Sequence, residues 1–159
     1  MASVTPEEAR ILSDITFEWA ESLDTKDWDR LRAILAPTLF VDYSKVTGQK
    51  WDEMSTDEFL AIFSDKTFLD DPLVDLQHLI GLCKYEKTSD TEIFGDHQIR
   101  AAHQRYTIDK NTAEVQGHGY GLIRHYYKKL DGHWKLAGLR PTMRWVEGSF
   151  SDIFRDKKS

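Results

Sequence analysis

The hydrophobic pattern of this chain changes near residue 76 from a helical period to strand alternation, and this change constrains the fold most. Before it, apolar residues recur every three or four positions; after it, four segments alternate apolar and polar residues. These segments are LQHLIGLCKYEK, TEIFGDHQIRAAHQRYTI, AEVQGHGYGLIRHYYKKL and HWKLAGLRPTMRWV. The polar breaks between them predict hairpins. Helices followed by a long antiparallel meander predict an α+β domain, with a curved sheet wrapped around the N-terminal helices.

Two capping boxes predict where helices begin in the first half of the chain. The first is TPEE at residues 5–8, with a proline at the first helical position, and the second is STDE at residues 55–58. The first box opens a long amphipathic helix that the polar residues 24–27 interrupt. A second helix follows and is predicted to stop at residues 36–37, because proline disfavours helical geometry in the residue before it.

Two short elements complete the predicted fold. Residues 39–43 alternate, which predicts a strand with Tyr43 on its apolar side. Serines near the C terminus offer caps for a short helix in which Phe150, Ile153 and Phe154 pack as a lid. A sheet that curves around helices leaves a concave apolar pocket, which is the kind of site that ligands prefer.

The length and composition favour a small domain with a small-molecule partner. A chain of 159 residues with 40% hydrophobic residues fits one domain spanning 1–159. A formal net charge of -6 argues against a nucleic-acid surface. The single cysteine, Cys83, is predicted to be a core thiol in a reducing compartment. We find no signal-peptide pattern and no apolar run of membrane length, which predicts a cytoplasmic protein without a membrane partner.

Histidines are predicted to face the interior of the sheet. In the segment HQIRAAHQRY, alternation places His97 and His103 on the same face as the apolar Ile99. In the preceding segment, His78 has the parity of the apolar residues around it. A strand histidine is more often packed or exposed than catalytic. However, His78 and His103 on neighbouring strands beside a cavity suit acid–base chemistry.

Two further side chains fit the same chemistry. Asp24, at the joint between the first two helices, carries the charge that fixes a histidine tautomer and supports its protonated form. Tyr43 has a hydroxyl that donates a hydrogen bond to a substrate carbonyl. The two histidines, the aspartate and the tyrosine come from four separate elements, so their spacing leaves open whether they meet.

Other chemistries have weaker signals. No HExxH, HxH or CxxC motif appears among the six histidines and the one cysteine, so we expect no metal. Cys83 lies in an apolar run and no GxSxG elbow exists, which disfavours a covalent nucleophile. His118, His125 and His133 are interpreted as structural or exposed. The run GHGYG is too short for a phosphate loop and is more typical of a bent strand.

Long segments of the chain resemble scytalone dehydratases, fungal enzymes of the melanin pathway. The matching segments are EWAESLDTKDWDRLRAILAPTL, VDY at 41–43, the QH that ends at His78, HQRY at 103–106, and YYKKLDGHWKLAGLRP with the following RW. The resemblance covers nearly the whole chain, from about Phe17 to Phe154. It implies the cone-shaped α+β fold that is also seen in nuclear-transport-factor-like and cystatin-like proteins.

The resemblance also implies a set of catalytic residues. The family has no cofactor and no metal, assembles as homotrimers, and eliminates water from a hydroxylated tetralone so that the ring becomes aromatic. A pair of histidines matches His78 and His103, and Asp24 matches the aspartate that orients His103. Tyr43 matches one of two tyrosines that hold a water against the substrate carbonyl.

The substrate shell departs from the family pattern. The second water-holding tyrosine falls at Leu23, a bracing serine at Gly121, and an asparagine that contacts substrate at Ile123. The other substrate-binding positions that the resemblance implies are Val46, Phe68, Pro141, Phe150 and Phe154. An unpaired polar group of scytalone facing Leu23 or Ile123 costs about 1–3 kcal/mol, enough to change the specificity.

The sequence therefore predicts a hydro-lyase of fungal polyketide and secondary metabolism whose substrate is not scytalone itself. In the predicted mechanism, Tyr43 polarises a ketone, one histidine removes the adjacent proton, and a histidine protonates the departing hydroxyl. One alternative is a cyclisation, isomerisation or pericyclic reaction in the same pocket. Another is a non-catalytic binding module, since this fold also serves as a carrier or dimerisation domain.

Overall fold

The computed structural model describes residues 3–155, which form four helices and six strands. The helices are α1 (Pro6–Thr25), α2 (Trp28–Ile34), α3 (Thr56–Phe63) and α4 (Phe150–Ile153). The strands are β1 (Leu35–Tyr43), β2 (Gln49–Ser55), β3 (Val74–Ser89), β4 (Glu92–Tyr106), β5 (Ala113–Leu130) and β6 (His133–Glu147). None of the described helices is long and apolar enough to cross a membrane.

Both predicted capping boxes are confirmed. Thr5 Oγ1 accepts a hydrogen bond from the Glu8 amide at 3.1 Å, and Glu8 Oε2 accepts one from the Thr5 amide at 3.0 Å. Ser55 and Glu58 make the same reciprocal pair at the start of α3. These bonds satisfy amide donors that a helix N-terminus otherwise leaves without partners. The N-terminal end of α1 is thereby fixed, and its apolar side packs into the core.

The six strands form one curved, open sheet in the order β2-β1-β6-β5-β4-β3. The predicted meander is confirmed, because β3, β4, β5 and β6 pair antiparallel with their neighbours in sequence. One pair of strands departs from the antiparallel pattern, since β1 pairs parallel with β6. Strand β2 was not predicted at all. Only Met54 of its seven residues is buried, so its sequence shows no alternation.

The predicted end of the second helix was wrong by two residues. Helix α2 ends at Ile34, and strand β1 already begins at Leu35 and contains Pro37. The β1–β6 register shifts between Leu35 and Phe40. Pro37, which has no amide hydrogen to donate, therefore lies where the ladder is interrupted.

A β-bulge in β3 reverses the alternation that the sequence predicted. The register with β4 shifts between Ile80 and Cys83, so the inward parity of His78 is not continued beyond the bulge. Leu82 is consequently 80% exposed. Cys83 is exposed as well, and the prediction of a core thiol was wrong.

Candidate active site

An apolar cavity of about 100 Å³ lies against the concave face of the sheet, with α1 and α3 at its sides and α4 across it. Three of its lining side chains carry polar groups suited to acid–base chemistry, namely Tyr43, His78 and His103. The remaining wall is Trp19, Leu23, Val46, Phe63, Phe68, Leu69, Ile99, Ala101, Gly119, Ile123, Pro141, Met143, Val146 and Phe150. A mostly apolar cavity with a few convergent polar groups is typical of a small-molecule site.

Asp24 holds His78 by two bonds from one carboxylate. Its Oδ1 lies 2.6 Å from His78 Nδ1, and its Oδ2 accepts a hydrogen bond from the His78 amide at 2.8 Å. Both side chains are largely buried, with 11% and 14% of the His78 and Asp24 side chains exposed. The carboxylate accepts a hydrogen bond from Nδ1–H, which leaves Nε2 free to take up a proton. It also stabilises the positive charge that the ring would then carry.

The partner of Asp24 differs from the sequence prediction. The resemblance implied that Asp24 orients His103, whereas the structure pairs Asp24 with His78. Helix α1 ends at a left-handed Lys26, and α1 lies against β3, where Lys26 Nζ donates to the Val74 carbonyl oxygen. Asp24 borders a second hollow of about 410 Å³ between α1 and β3 and does not line the apolar cavity. Asp24 therefore holds His78 from outside the apolar cavity.

His103 lies in a drier setting than His78. Its ring is 6.4 Å from the His78 ring, centroid to centroid, at an interplanar angle of 85°. Phe150 and Phe154 contact it at 5.3 Å and 5.2 Å. Burial lowers the pKa of His103 to about 4, and nearby His78 and His118 act in the same direction. His103 is therefore neutral at physiological pH and carries one N–H donor.

Tyr43 contributes a hydroxyl from the end of β1. Its ring packs 6.0 Å from Phe63, and burial raises the pKa of its hydroxyl above the usual range. Among residues 3–155, no side chain or backbone group makes a hydrogen bond to this hydroxyl. Tyr43 is half-buried, and a neutral phenol without a protein acceptor is suited to donate to a ligand oxygen.

Most of the predicted substrate shell lines the cavity. Leu23, Val46, Phe68, Ile123, Pro141 and Phe150 all contribute to its wall. Phe154 does not line it but packs behind it, 5.0 Å from Phe68 and 4.7 Å from Phe150. The predicted aromatic lid is thus α4 and the residue that follows it.

Gly121 is not part of the wall, and the structure shows why no side chain stands there. A Cβ atom added to Gly121 would lie 2.1 Å from the carbonyl oxygen of Thr142 and 3.0 Å from the Cα of Met143. The register of β5 with β6 shifts at this point, between Tyr120 and Gly121, so the β6 backbone occupies the side-chain space. The bracing serine of the family pattern cannot be accommodated by this backbone.

We expect Gly121→Ala to lower the free energy of unfolding by about 2 kcal/mol, because the backbone of β6 must move away. Gly119→Ala is the matched control. Its added methyl group would meet the Met143 sulfur at 3.0 Å, and a flexible thioether can turn aside. Urea unfolding of both variants measures the difference. Equal losses would show that β6 yields as easily as the methionine.

A second polar cluster, buried next to the cavity, was not predicted as a unit. Thr16 Oγ1 lies 3.0 Å from His125 Nδ1 and 2.6 Å from the Tyr127 hydroxyl. That hydroxyl lies 2.9 Å from His97 Nε2. Burial lowers the pKa of His97 to about 4 and lowers that of His125 well below its usual range. Trp19, a wall residue that the sequence analysis missed, contacts the His125 ring at 4.7 Å.

The apolar patterns of the strands and helices contained the signal for some of the wall residues that were not predicted. Met143 and Val146 lie on the last strand of the meander, and Phe63 and Trp19 lie on the apolar sides of predicted helices. No pattern in the sequence showed which apolar residues line a cavity and which pack against one another. Within the described residues, no group of three or more His, Cys, Asp or Glu side chains is placed to hold a metal ion.

Comparison with known proteins gives consistent matches over the chain. The scytalone dehydratase family model matches residues 3–159. Scytalone dehydratase arp1 of Aspergillus fumigatus is 53% identical over 148 residues, which cover 92% of this chain and 88% of that protein. Scytalone dehydratase of Colletotrichum orbiculare is 45% identical over 155 residues, or 97% of this chain and 82% of that protein.

Solved structures support the fold. The Kfla4162 protein of Kribbella flavida superposes with a TM-score of 0.79 at 15% identity, covering 92% of this chain and 96% of that one. A Nostoc punctiforme protein of unknown function with a cystatin-like fold gives a TM-score of 0.62 at 12% identity, covering 89% and 95%. These likenesses confirm the predicted cystatin-like α+β fold. Because the family model spans almost the whole sequence and the relatives share about half of its residues, the chain belongs to the scytalone dehydratase family.

Proposed function

We propose that this protein is a cofactor-independent dehydratase that eliminates water from a hydroxylated polyketide ketone in fungal secondary metabolism. The names of its fungal relatives support a dehydratase in melanin or polyketide pathways. The observation that carries the proposal is the contact of 2.6 Å between Asp24 Oδ1 and His78 Nδ1 at the wall of an apolar cavity. This contact equips His78 to become positively charged during a reaction.

His78 is the base in this proposal. Removing a proton from the carbon next to a ketone turns the base into a cation, and Asp24 stabilises that cation at hydrogen-bond distance. His103 has no such partner, and its lowered pKa makes it a poor proton acceptor near neutral pH. The two histidines therefore differ in role because only one of them has a carboxylate behind it.

Tyr43 and His103 act as neutral donors. When the proton leaves carbon, negative charge moves to the ketone oxygen, and the Tyr43 hydroxyl stabilises it by donating a hydrogen bond. His103 donates its N–H to the hydroxyl that will depart, which holds that group near His78. The distance of 6.4 Å between the two rings leaves room for one substrate group between them.

His78 both removes the proton from carbon and returns it to the leaving group. The base receives the carbon proton, and the electron pair of the C–H bond becomes the enolate. Collapse of the enolate re-forms the ketone and breaks the C–O bond on the β carbon. The His78 cation returns its proton to the departing oxygen, which leaves as water. The enzyme ends in its starting state, and the product becomes aromatic by tautomerisation.

The wall of the cavity favours a substrate with fewer polar groups than scytalone. Leu23 is 2% exposed and Ile123 is 2% exposed, and both present only hydrocarbon to the cavity. A phenolic hydroxyl facing either of them loses hydrogen bonds to water without replacement, at about 1–3 kcal/mol each. We therefore propose that the preferred substrates are bicyclic β-hydroxy ketones that lack one or both of the phenolic hydroxyls of scytalone.

We expect the purified protein to dehydrate α-tetralone carrying a hydroxyl on its β carbon, with a kcat/KM about tenfold or more above that for scytalone. Naphthol fluorescence follows the reaction, and mass spectrometry checks for loss of one water. Turnover that is faster with scytalone would overturn the specificity argument. A product of unchanged mass would support cyclisation or isomerisation instead. Tight binding of both ketones without any product would make the protein a binding module.

A further inference from the structure

The apolar cavity is too small in this structure for a two-ring ligand. Its volume of about 100 Å³ is well below the roughly 300 Å³ at which small-molecule pockets usually begin. Phe150 forms part of its wall, and Phe154 backs both Phe150 and Phe68. A two-ring ketone can enter only if part of this aromatic cover moves. The candidates for movement are α4 and the loop that carries Phe68.

The loop that carries Phe68 is tied down by several bonds. Asp71 Oδ1 accepts the Leu73 amide at 2.9 Å, and the Trp28 indole donates to Asp70 Oδ1 at 3.1 Å. Lys26 Nζ donates to the carbonyl oxygens of Asp71 and Val74. These bonds come from the α1–α2 joint and from the loop itself. The loop therefore does not depend on α4 for its position.

Helix α4 has a different kind of attachment. It follows Gly148, whose φ of 79° is a conformation that favours glycine. Within residues 3–155, its one buried hydrogen bond to the rest of the protein comes from Arg105, whose Nε donates to the Ile153 carbonyl oxygen at 2.6 Å. An ion pair of Arg155 with Glu114 is more than 40% exposed on both sides and adds little.

Arg105 joins both halves of the cover to the strand that carries His103. The Arg105 side chain is 5% exposed, and its second bond runs from Nη2 to Asp71 Oδ2 at 2.5 Å. One planar group thus reaches the fixed loop and the end of α4 at the same time. His103 lies two residues earlier on β4, so the position of the cover is set directly from the site.

We propose that Arg105 is a positioning residue that latches α4 over the cavity, and that α4 opens about Gly148 to admit and release the ligand. The latch does no chemistry and touches no substrate. It goes beyond the proposed function, because any reaction or binding event in this cavity requires the same opening. Lysine at position 105 keeps the charge but cannot span both acceptors, since it lacks the guanidinium fork.

Thiol accessibility measures the opening without any substrate. The exposed Cys83 is first replaced by serine, and Ile153→Cys then places a thiol at a lid position that is 1% exposed. We expect Arg105→Lys to raise the rate at which this thiol reacts with a disulfide reagent by about tenfold or more. Arg155→Gln, which removes the exposed ion pair, is the matched control and should change the rate less than twofold.

A second buried thiol separates local opening from global unfolding. Leu139→Cys on β6 is fully buried in the core and reacts only when the whole domain unfolds. Equal acceleration of both thiols by Arg105→Lys would overturn the latch and leave Arg105 an ordinary stabilising residue. An unchanged rate at position 153 would overturn it too. Amide hydrogen exchange of residues 149–155 in the Arg105→Lys chain gives the same comparison without added cysteines.

Discussion

We expect replacing Asp24 with asparagine to lower kcat for the proposed dehydration by about 10²–10⁴-fold and to leave KM nearly unchanged. The reason lies in the two bonds that the carboxylate makes. The His78 amide is always a donor and occupies one oxygen. Asparagine has only one oxygen, so its NH2 group must face Nδ1 and donate to it. Nδ1 then loses its proton to Nε2, and the nitrogen that should accept a proton from substrate already carries one.

The unchanged KM is as informative as the loss of turnover. Asp24 does not line the cavity, so a substrate bound there meets the same wall in the variant. Steady-state kinetics on the ketone that the enzyme dehydrates fastest supplies both constants. Glu21→Gln is the control, because Glu21 borders the same outer hollow as Asp24 but makes no bond to His78. A drop in kcat below tenfold for Asp24→Asn would transfer the role of base away from His78.

We expect mild acid to destabilise this protein by charging histidines that the fold keeps neutral. Burial lowers the pKa of His97 and of His103 to about 4, and that of His125 well below its usual range. In the unfolded chain each takes up a proton below roughly pH 6.5. Between these limits the unfolded state binds more protons, so stability falls as the pH falls. At about pH 5 His97 and His103 each cost about 2 kcal/mol relative to about pH 8, and His125 acts in the same direction.

Together His97 and His103 remove about 4 kcal/mol, a large part of the 5–15 kcal/mol that stabilises a typical domain. Urea unfolding at a series of pH values measures this slope. His97→Gln keeps a hydrogen-bonding partner for Tyr127 and should reduce the acid-induced loss by about 2 kcal/mol. His133→Gln, at an exposed position in the β5–β6 hairpin, should leave the slope unchanged. Parallel curves for His97→Gln and the unmodified protein would contradict the assignment.

Local signals in the sequence predicted the elements that depend on neighbours along the chain. The capping boxes at residues 5–8 and 55–58 need only four consecutive residues, and both form as predicted. Alternation in β4 placed His97 and His103 on the inner face because that strand is regular from Glu92 to Arg105. Such features are determined within one element, so a single sequence is sufficient to predict them.

Features that depend on contacts between two elements could not be predicted from the sequence patterns. The bulge in β3 depends on how two strands share curvature, and it exposed Cys83 against expectation. The choice of His78 over His103 by Asp24 depends on where α1 ends against the sheet. The role of Gly121 depends on the neighbouring strand, whose Thr142 carbonyl oxygen occupies the space that a side chain at position 121 would need. Resemblance gave the residues of the site but not these relations among them.

The parallel pairing of β1 with β6 affects how the protein matures during synthesis. Val41 pairs with Leu139, roughly 100 residues later in the chain, so β1, which ends at Tyr43, joins the rest of the sheet only after β6 has left the ribosome. Asp24, His78 and His103 belong to α1, β3 and β4, which are synthesised earlier. A nascent chain that lacks β6 therefore has the elements that carry Asp24, His78 and His103 but not the strand that joins β1 to β5. The last strand to be made completes the sheet around the candidate site.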